Sequence, residues 1–252
     1  MDSINPYCER TYRKWSGRND LETFCVGIET SDLRIQCDRK RDGAARAILA
    51  KARGEVEEAI RRIEGFGESF DPVEVPAGAE PIVSSMAAAA RAWGVGPMAA
   101  VAGAIAHEVA RGLLRRSREV IVENGGDLFL RCDGPATVGL YAGEESPFSG
   151  RLAFEVDARP GVAVCTSSGV VGPSLSLGRA DAVMTVCRSG AVADAAATSI
   201  ANRIARPGDV DEVVAEVARA ESLDAVVACC GDRLGVWGDI ELASGGAGRD
   251  RR

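Results

Sequence analysis

The chain has 252 residues with 46% hydrophobic and only 5% aromatic content, which suffices for one large or two small domains and points to helices packed through small residues. A net charge of −7 and a pI near 5.0 argue against a general nucleic-acid binder. No apolar run approaches a membrane span, and the polar stretch Met1 to Arg18 does not read as a secretory signal, so a cytoplasmic protein with no membrane partner is expected.

In chain order, residues 1–20 read as an irregular polar segment. Thr23–Glu29 and Leu33–Cys37 read as two strands joined by a turn. Gly43 to Ile63 reads as a helix whose apolar face holds Ile48, Val56, Ala59, Ile60 and Ile63. Three prolines between Phe70 and Pro81 mark a connection. An Ala-rich helix from Ile82 to Trp93 follows. Gly94-Val95-Gly96-Pro97 then ends one helix and opens another, with the stripe Met98, Val101, Ile105, Val109 and Leu113. His107, the only histidine, falls about 200° round from Ile105 at 100° per residue and reads as a surface residue. Arg115, Arg116 and Arg118 read as the solvated end of this helix.

Val120–Val122 and Leu128–Leu130 are β-rich runs around the polar turn Glu123 to Asp127. Beyond it, Ala136–Ala142, Leu152–Val156, Gly161–Cys165 and Ala182–Cys187 read as strands, while residues 170–180 lack periodicity. Gly190 to Arg206 reads as a helix. Asp209 to Glu221 reads as another, with Asp209 and Glu212 at capping-box spacing. Leu223–Cys230 and Leu234–Trp237 read as a closing hairpin, and the Gly- and Arg-rich residues 244–252 as a disordered tail. Strand neighbours mixed with helix pairs favour α+β over a doubly wound sheet. The core domain is expected to span residues 21–243.

The eight cysteines show no C-x-x-C spacing, so neither a zinc site nor a redox pair is written there. Cys229 and Cys230 are adjacent on a strand and face opposite sides, so no bond is expected between them. Three clusters carry polar chemistry. Asn124, Gly125, Gly126 and Asp127 form either a hairpin tip or a turn whose bare backbone approaches a ligand. Thr166, Ser167, Ser168 and Gly169 at a strand end form either a Ser-rich turn or an anion cradle. Asp194 and Thr198 lie one turn apart on a helix and share a face. They could supply two oxygens to Mg²⁺, or serve only as a dipole-favouring carboxylate and a packed hydroxyl.

The clusters N-G-G-D, T-S-S-G and A-D-A-A-A-T, in this order, resemble ApbE-type FAD:protein FMN transferases. A short, uncharacterised prokaryotic branch of that superfamily is more similar still. It matches at Gly94–Ala106, Val122–Asp127, Cys165–Gly169, Gly178–Val183 and Ala193–Thr198. The resemblance runs from about Leu21 to Trp237. It implies a single compact ApbE-like α+β domain with mixed or antiparallel strands and packed helices. It implies Mg²⁺ at Asp194 and Thr198, and FAD or FMN held at Asn124–Asp127 and Thr166–Gly169. The acceptor it implies is a Ser or Thr of a partner protein. The transferase motif H-x-x-D-P-x-T-G is absent; Val171-Gly172-Pro173-Ser174-Leu175-Ser176 stands there, and Ala102-Gly103 replaces a Lys-Gly pair. No catalytic residue is therefore assigned, and binding of a flavin nucleotide or related pyrophosphate is expected ahead of catalysis. Two other readings stay open. One is a cysteine-dependent enzyme of sulfur metabolism, with Cys165 activated at a strand end. The other is a non-catalytic ligand-binding scaffold. A homo-oligomer is compatible with all three.

Overall fold

The structure, a computed structural model, describes residues 21–169 and 178–243; the expected N-terminal segment, residues 170–177 and the expected tail lie outside them. The described residues form an α+β domain. The strands are β1 (Glu22–Ile28), β2 (Ser31–Cys37), β3 (Val120–Asn124), β4 (Asp127–Arg131), β5 (Pro135–Gly139), β6 (Ala153–Asp157), β7 (Val162–Ser167), β8 (Ala182–Cys187), β9 (Ala225–Cys230), β10 (Arg233–Gly238) and β11 (Glu241–Leu242). The helices are α1 (Asp42–Arg62), α2 (Pro81–Trp93), α3 (Val101–Leu113), α4 (Gly190–Arg203) and α5 (Val210–Val217).

Eight strands make one sheet in the order β1-β2-β3-β4-β7-β8-β9-β10, and β11-β6-β5 make a second; every neighbouring pair is antiparallel. The chain leaves the large sheet after β4 to build β5 and β6, then returns beside β4 as β7. Two helical excursions, α1–α3 between β2 and β3 and α4–α5 between β8 and β9, cover one sheet face. The small sheet covers part of the other: Phe154 and Val156 pack toward Leu128, Leu130, Val164 and Met184. Buried on both faces, β8 and β9 read as continuous apolar runs rather than alternating ones.

One helix differs from expectation in which residues it buries, and another is buried nearly all round. In α1 the buried positions are Ala45, Leu49, Ala52, Val56 and Ala59, a spacing of alternating four and three residues. Val56 and Ala59 are buried as expected, but Ile60 is 39% exposed and Ile48 and Ile63 only border the core, while Ala45, Leu49 and Ala52 take the remaining buried positions. Helix α4 is central, touching α2, α3, β7 and β8, and buries Ala191, Ala193, Ala195, Ala196, Ala197, Ile200 and Ala201 around most of its circumference.

Ends also shift. Strand β7 continues through Thr166 and Ser167, and α4 ends at Arg203 rather than Arg206. Helix α5 is only Val210–Val217, and Asp209 does not cap it with its side chain; its carboxylate instead accepts from the Ala205 and Arg206 amides. No helix among the described residues is long and apolar enough to cross a membrane.

Helices α3 and α4 cross at two glycines. A Cβ on Gly103 would lie 2.3 Å from the Gly190 carbonyl oxygen, and one on Gly190 would lie 2.0 Å from that of Gly103. Neither backbone can yield locally, so Gly190→Ala should destabilise by at least about 3 kcal/mol. Gly54, inside α1 with nothing within 4 Å of its would-be Cβ, gives the opposite sign. Gly54→Ala should stabilise by about 0.5–1 kcal/mol. Denaturant titration of the two variants beside the wild type checks both.

Candidate functional site

The N-G-G-D turn closes the β3–β4 hairpin. Asn124 pairs with Asp127, and Gly125 and Gly126 have φ of 69° and 109°, so the loop is two residues long, shorter than the five-residue turn expected. A Cβ on either glycine would meet nothing within 4 Å, so open space rather than a neighbour surrounds them. The flanking polar side chains turn inward. Asn124 donates from Nδ2 to the Ala102 carbonyl (3.0 Å), and Glu123 accepts from the Gly126 amide (3.0 Å). Asp127 accepts from the Thr166 amide at 3.1 Å and from the Cys165 thiol. The pairing of β4 with β7 places Cys165 and Thr166 there, one and two residues past the Leu128–Val164 pair.

Asp194 reaches the same corner from α4. Its Oδ2 accepts from the Gly103 amide at 2.9 Å, and its carboxylate also accepts from the Ala102 amide. It thereby caps the start of α3 from 91 residues away, a site where a carboxylate meets unpaired N–H groups and the positive end of the helix dipole. Asp194 keeps part of its surface accessible, whereas Asp127 is only 6% exposed. Thr198, half-buried, follows one turn on.

The electrostatics are those of buried carboxyls held without a counter-ion. Burial pushes Asp127 up to about 7, with Glu123 adding to the rise and the Thr166 amide and Cys165 thiol opposing it. Burial, then the Asp127 charge, raises Asp194 well above the ordinary carboxylate range against the pull of the Gly103 and Ala102 amides. Among the described residues, no lysine or arginine acts on either group. No cluster of three or more His, Cys, Asp or Glu side chains suited to a metal occurs among them either.

Asp127, Thr166 and Asp194, one from each cluster, thus meet around the start of α3. Ser167 and Ser168 are buried beside them in sequence. Gly169 serves a different need. A Cβ there would lie 2.3 Å from the Gly178 carbonyl oxygen, so this glycine admits a passing chain rather than a ligand.

Two sequence readings are corrected. His107 is not a surface residue. Its ring stacks on Phe129 with centroids 4.2 Å apart and planes 8° from parallel, and Nδ1 accepts from the Gly190 amide at 3.3 Å. Cys165 is not an activated thiolate. Burial, followed by the Asp127 and Asp194 charges, raises its thiol well above the ordinary value, the reverse of what a nucleophile needs. Sequence reasoning missed His107, Gly103 and Glu123 as parts of this corner. The one signal that could have found Gly103 and His107 was their four-residue spacing, which puts both on the same face of α3.

A family model described as "AbpE bacteria" matches residues 13–228. The chain belongs to this family. Archaeal relatives extend the match. A UPF0280 protein of Methanococcus maripaludis is 39% identical over 223 residues, covering 85% of this chain and 90% of the relative. One of Methanospirillum hungatei is 42% identical over 224 residues, covering 87% and 80%. Among solved structures, the flavin transferase ApbE from Vibrio cholerae aligns with a TM-score of 0.56 at 13% identity, covering 86% of this chain and 97% of that one. The Pseudomonas stutzeri flavinyl transferase ApbE aligns at 0.53 and 14%, covering 86% and 94%. At such identities the likeness carries the fold: an AbpE family member is an ApbE-like α+β domain.

The raised Asp127 makes a pH prediction. A carboxyl whose folded value lies near 7, above its unfolded value near 3.8, contributes stability that is present below the lower value and lost as pH rises through the upper one. Asp127→Asn keeps an acceptor for the Thr166 amide and cannot ionise. Its stability relative to the wild-type apo protein should therefore increase from pH 5 to pH 8, as read by urea midpoints. A constant difference across that range would mean Asp127 is not protonated at the acid end.

Proposed function

We propose that the protein binds a flavin nucleotide or related pyrophosphate together with Mg²⁺ at the corner where α3, α4, β4 and β7 meet. The observation that carries this reading is the pair of carboxylates, Asp127 held by the Thr166 amide and Asp194 by the Gly103 amide, with the Asp127 charge acting on Asp194 and no basic side chain acting on either among the described residues. Such a pair favours a divalent cation. The fit with Mg²⁺ is one of donor chemistry: Asp194 and Thr198 offer hard oxygens on one helix turn. Two N–H contacts leave lone pairs of the Asp194 carboxylate in hand. With so few protein ligands, phosphate oxygens would complete the shell, and Mg²⁺ bound there would neutralise them. The open backbone of Gly125 and Gly126, and the hydroxyl-rich end of β7, are the neighbouring groups for the nucleotide.

Transfer of FMN to a Ser or Thr of an acceptor protein is the finer form of this reading. It calls for a base to take the hydroxyl proton. The motif H-x-x-D-P-x-T-G is missing, and His107 already uses Nδ1 to hold Gly190. Binding is therefore the activity proposed first, with transfer as its extension. The non-catalytic scaffold becomes the reading in front if no flavin binds.

Because Asp194 also caps α3, Asp194→Asn is a better probe than Asp194→Ala: it keeps an oxygen acceptor for the Gly103 amide and removes the charge. Titration calorimetry with FAD and Mg²⁺ should show wild-type affinity falling roughly tenfold or more when EDTA is added, as a charge-assisted contact would give. Asp194→Asn should be nearly indifferent to EDTA, and Thr198→Val should lie between. An equal EDTA response in wild type and Asp194→Asn would place the metal elsewhere.

A further inference from the structure

We infer that His107 is a positioning residue, whose imidazole fixes the first turn of α4 and thereby sets where Asp194 presents its carboxylate. Its consequence for ligand affinity rests on the Mg²⁺–nucleotide reading above; the positioning itself does not.

Gly190 is the first residue of α4, and its amide is one of the N–H groups that a helix start leaves without an intrahelical acceptor. His107 Nδ1 takes that amide, while Ser189 Oγ accepts from Val192 at 3.4 Å. The contact is steric as well. A Cβ on Gly190 would lie 2.9 Å from the His107 Cβ and 2.0 Å from the Gly103 oxygen, so α4 begins in a slot walled by Gly103 and His107. Asp194 follows Gly190 by four residues, one turn on the same face. A shift of the first turn would carry its carboxylate away from the Gly103 amide.

The imidazole is itself held. Its near-parallel stack on Phe129 orients the ring, and Phe129 lies two residues beyond Asp127 on the same face of β4. One side chain therefore ties α4 to the strand that carries the second carboxylate. Nδ1 can accept only from a neutral ring. Burial favours that form, with Arg111 acting in the same direction and Glu108 against it.

Two substitutions separate the functions of the ring. His107→Phe keeps a stacking ring and removes the acceptor. His107→Asn places an amide oxygen near the position of Nδ1 and removes the stack. In the apo protein, the amide proton shifts of Gly190 and Gly103 report the two hydrogen bonds directly. His107→Phe should move both resonances upfield, and His107→Asn should leave both near wild type. With FAD and Mg²⁺, His107→Phe should lose about fivefold or more of the Mg²⁺-dependent affinity, the equivalent of one net hydrogen bond. His107→Asn should stay within about twofold. His107→Leu is a second acceptor-free variant should the phenylalanine prevent folding. A Gly103 amide unmoved in the acceptor-free variants, or moved equally in His107→Asn, would overturn the inference. A wild-type protein that shows no Mg²⁺-dependent binding would remove the proposed function, yet the Gly103 amide would still decide whether His107 positions Asp194.

Discussion

Helices α3 and α4 cap one another. Asp194 of α4 accepts the Gly103 amide in the first turn of α3, and His107 of α3 accepts the Gly190 amide at the start of α4. Both bonds require the two backbones to approach more closely than any side chain permits, which is what Gly103 and Gly190 allow. The Ala-rich circumference of α4 follows from the same need. A helix lodged between α2, α3 and two sheet strands has room for methyl groups and little else. Asn124 then fastens the hairpin end to the entry of α3 through the Ala102 carbonyl.

This crossing explains why carboxylates gather in one corner. Asp194 is drawn there by helix N–H groups and Asp127 by the Thr166 amide, each a favourable local contact. Their proximity is unfavourable, since burial raises the proton affinity of both and the Asp127 charge raises that of Asp194 further. Local bonds therefore hold in place two buried carboxyls on which no basic side chain acts among the described residues. Fold and candidate function meet at that point: the caps that order α3 and α4 also organise the anionic site.

Much of the fold was legible in the sequence because it rests on local periodicity. The hairpins β1–β2 and β9–β10, the N-G-G-D turn and the breaks at Gly94–Pro97 all stand where turn chemistry and alternation put them. Features that depend on distant partners were not legible. The hydrogen bonds of His107 and Asp194 span 83 and 91 residues, and a helical wheel sees neither. His107 lies off the stripe of large apolar residues, yet Gly190 and Phe129 cover that side of α3, so it is half-buried rather than exposed. The α1 face was assigned only in part: Val56 and Ala59 are buried, but Ile60 turns out and Ala45, Leu49 and Ala52 take positions that bulk alone would give to isoleucines. The two-residue strand β11 exists only because β6 offers an edge. At the site, the residue types and their order were readable, while the raised proton affinities of Asp127 and Cys165 needed the three-dimensional burial.

The central claim, a divalent-cation site organised by Asp194 beside Asp127, is tested most directly by crystals grown with FAD and Mn²⁺ in place of Mg²⁺, located by anomalous scattering. The account predicts one Mn²⁺ peak at oxygen-ligand distance, roughly 2.1 Å, from the Asp194 carboxylate, with phosphate oxygens of the nucleotide in its shell. A nucleotide bound with no peak there, or a peak bound to other side chains, would contradict it.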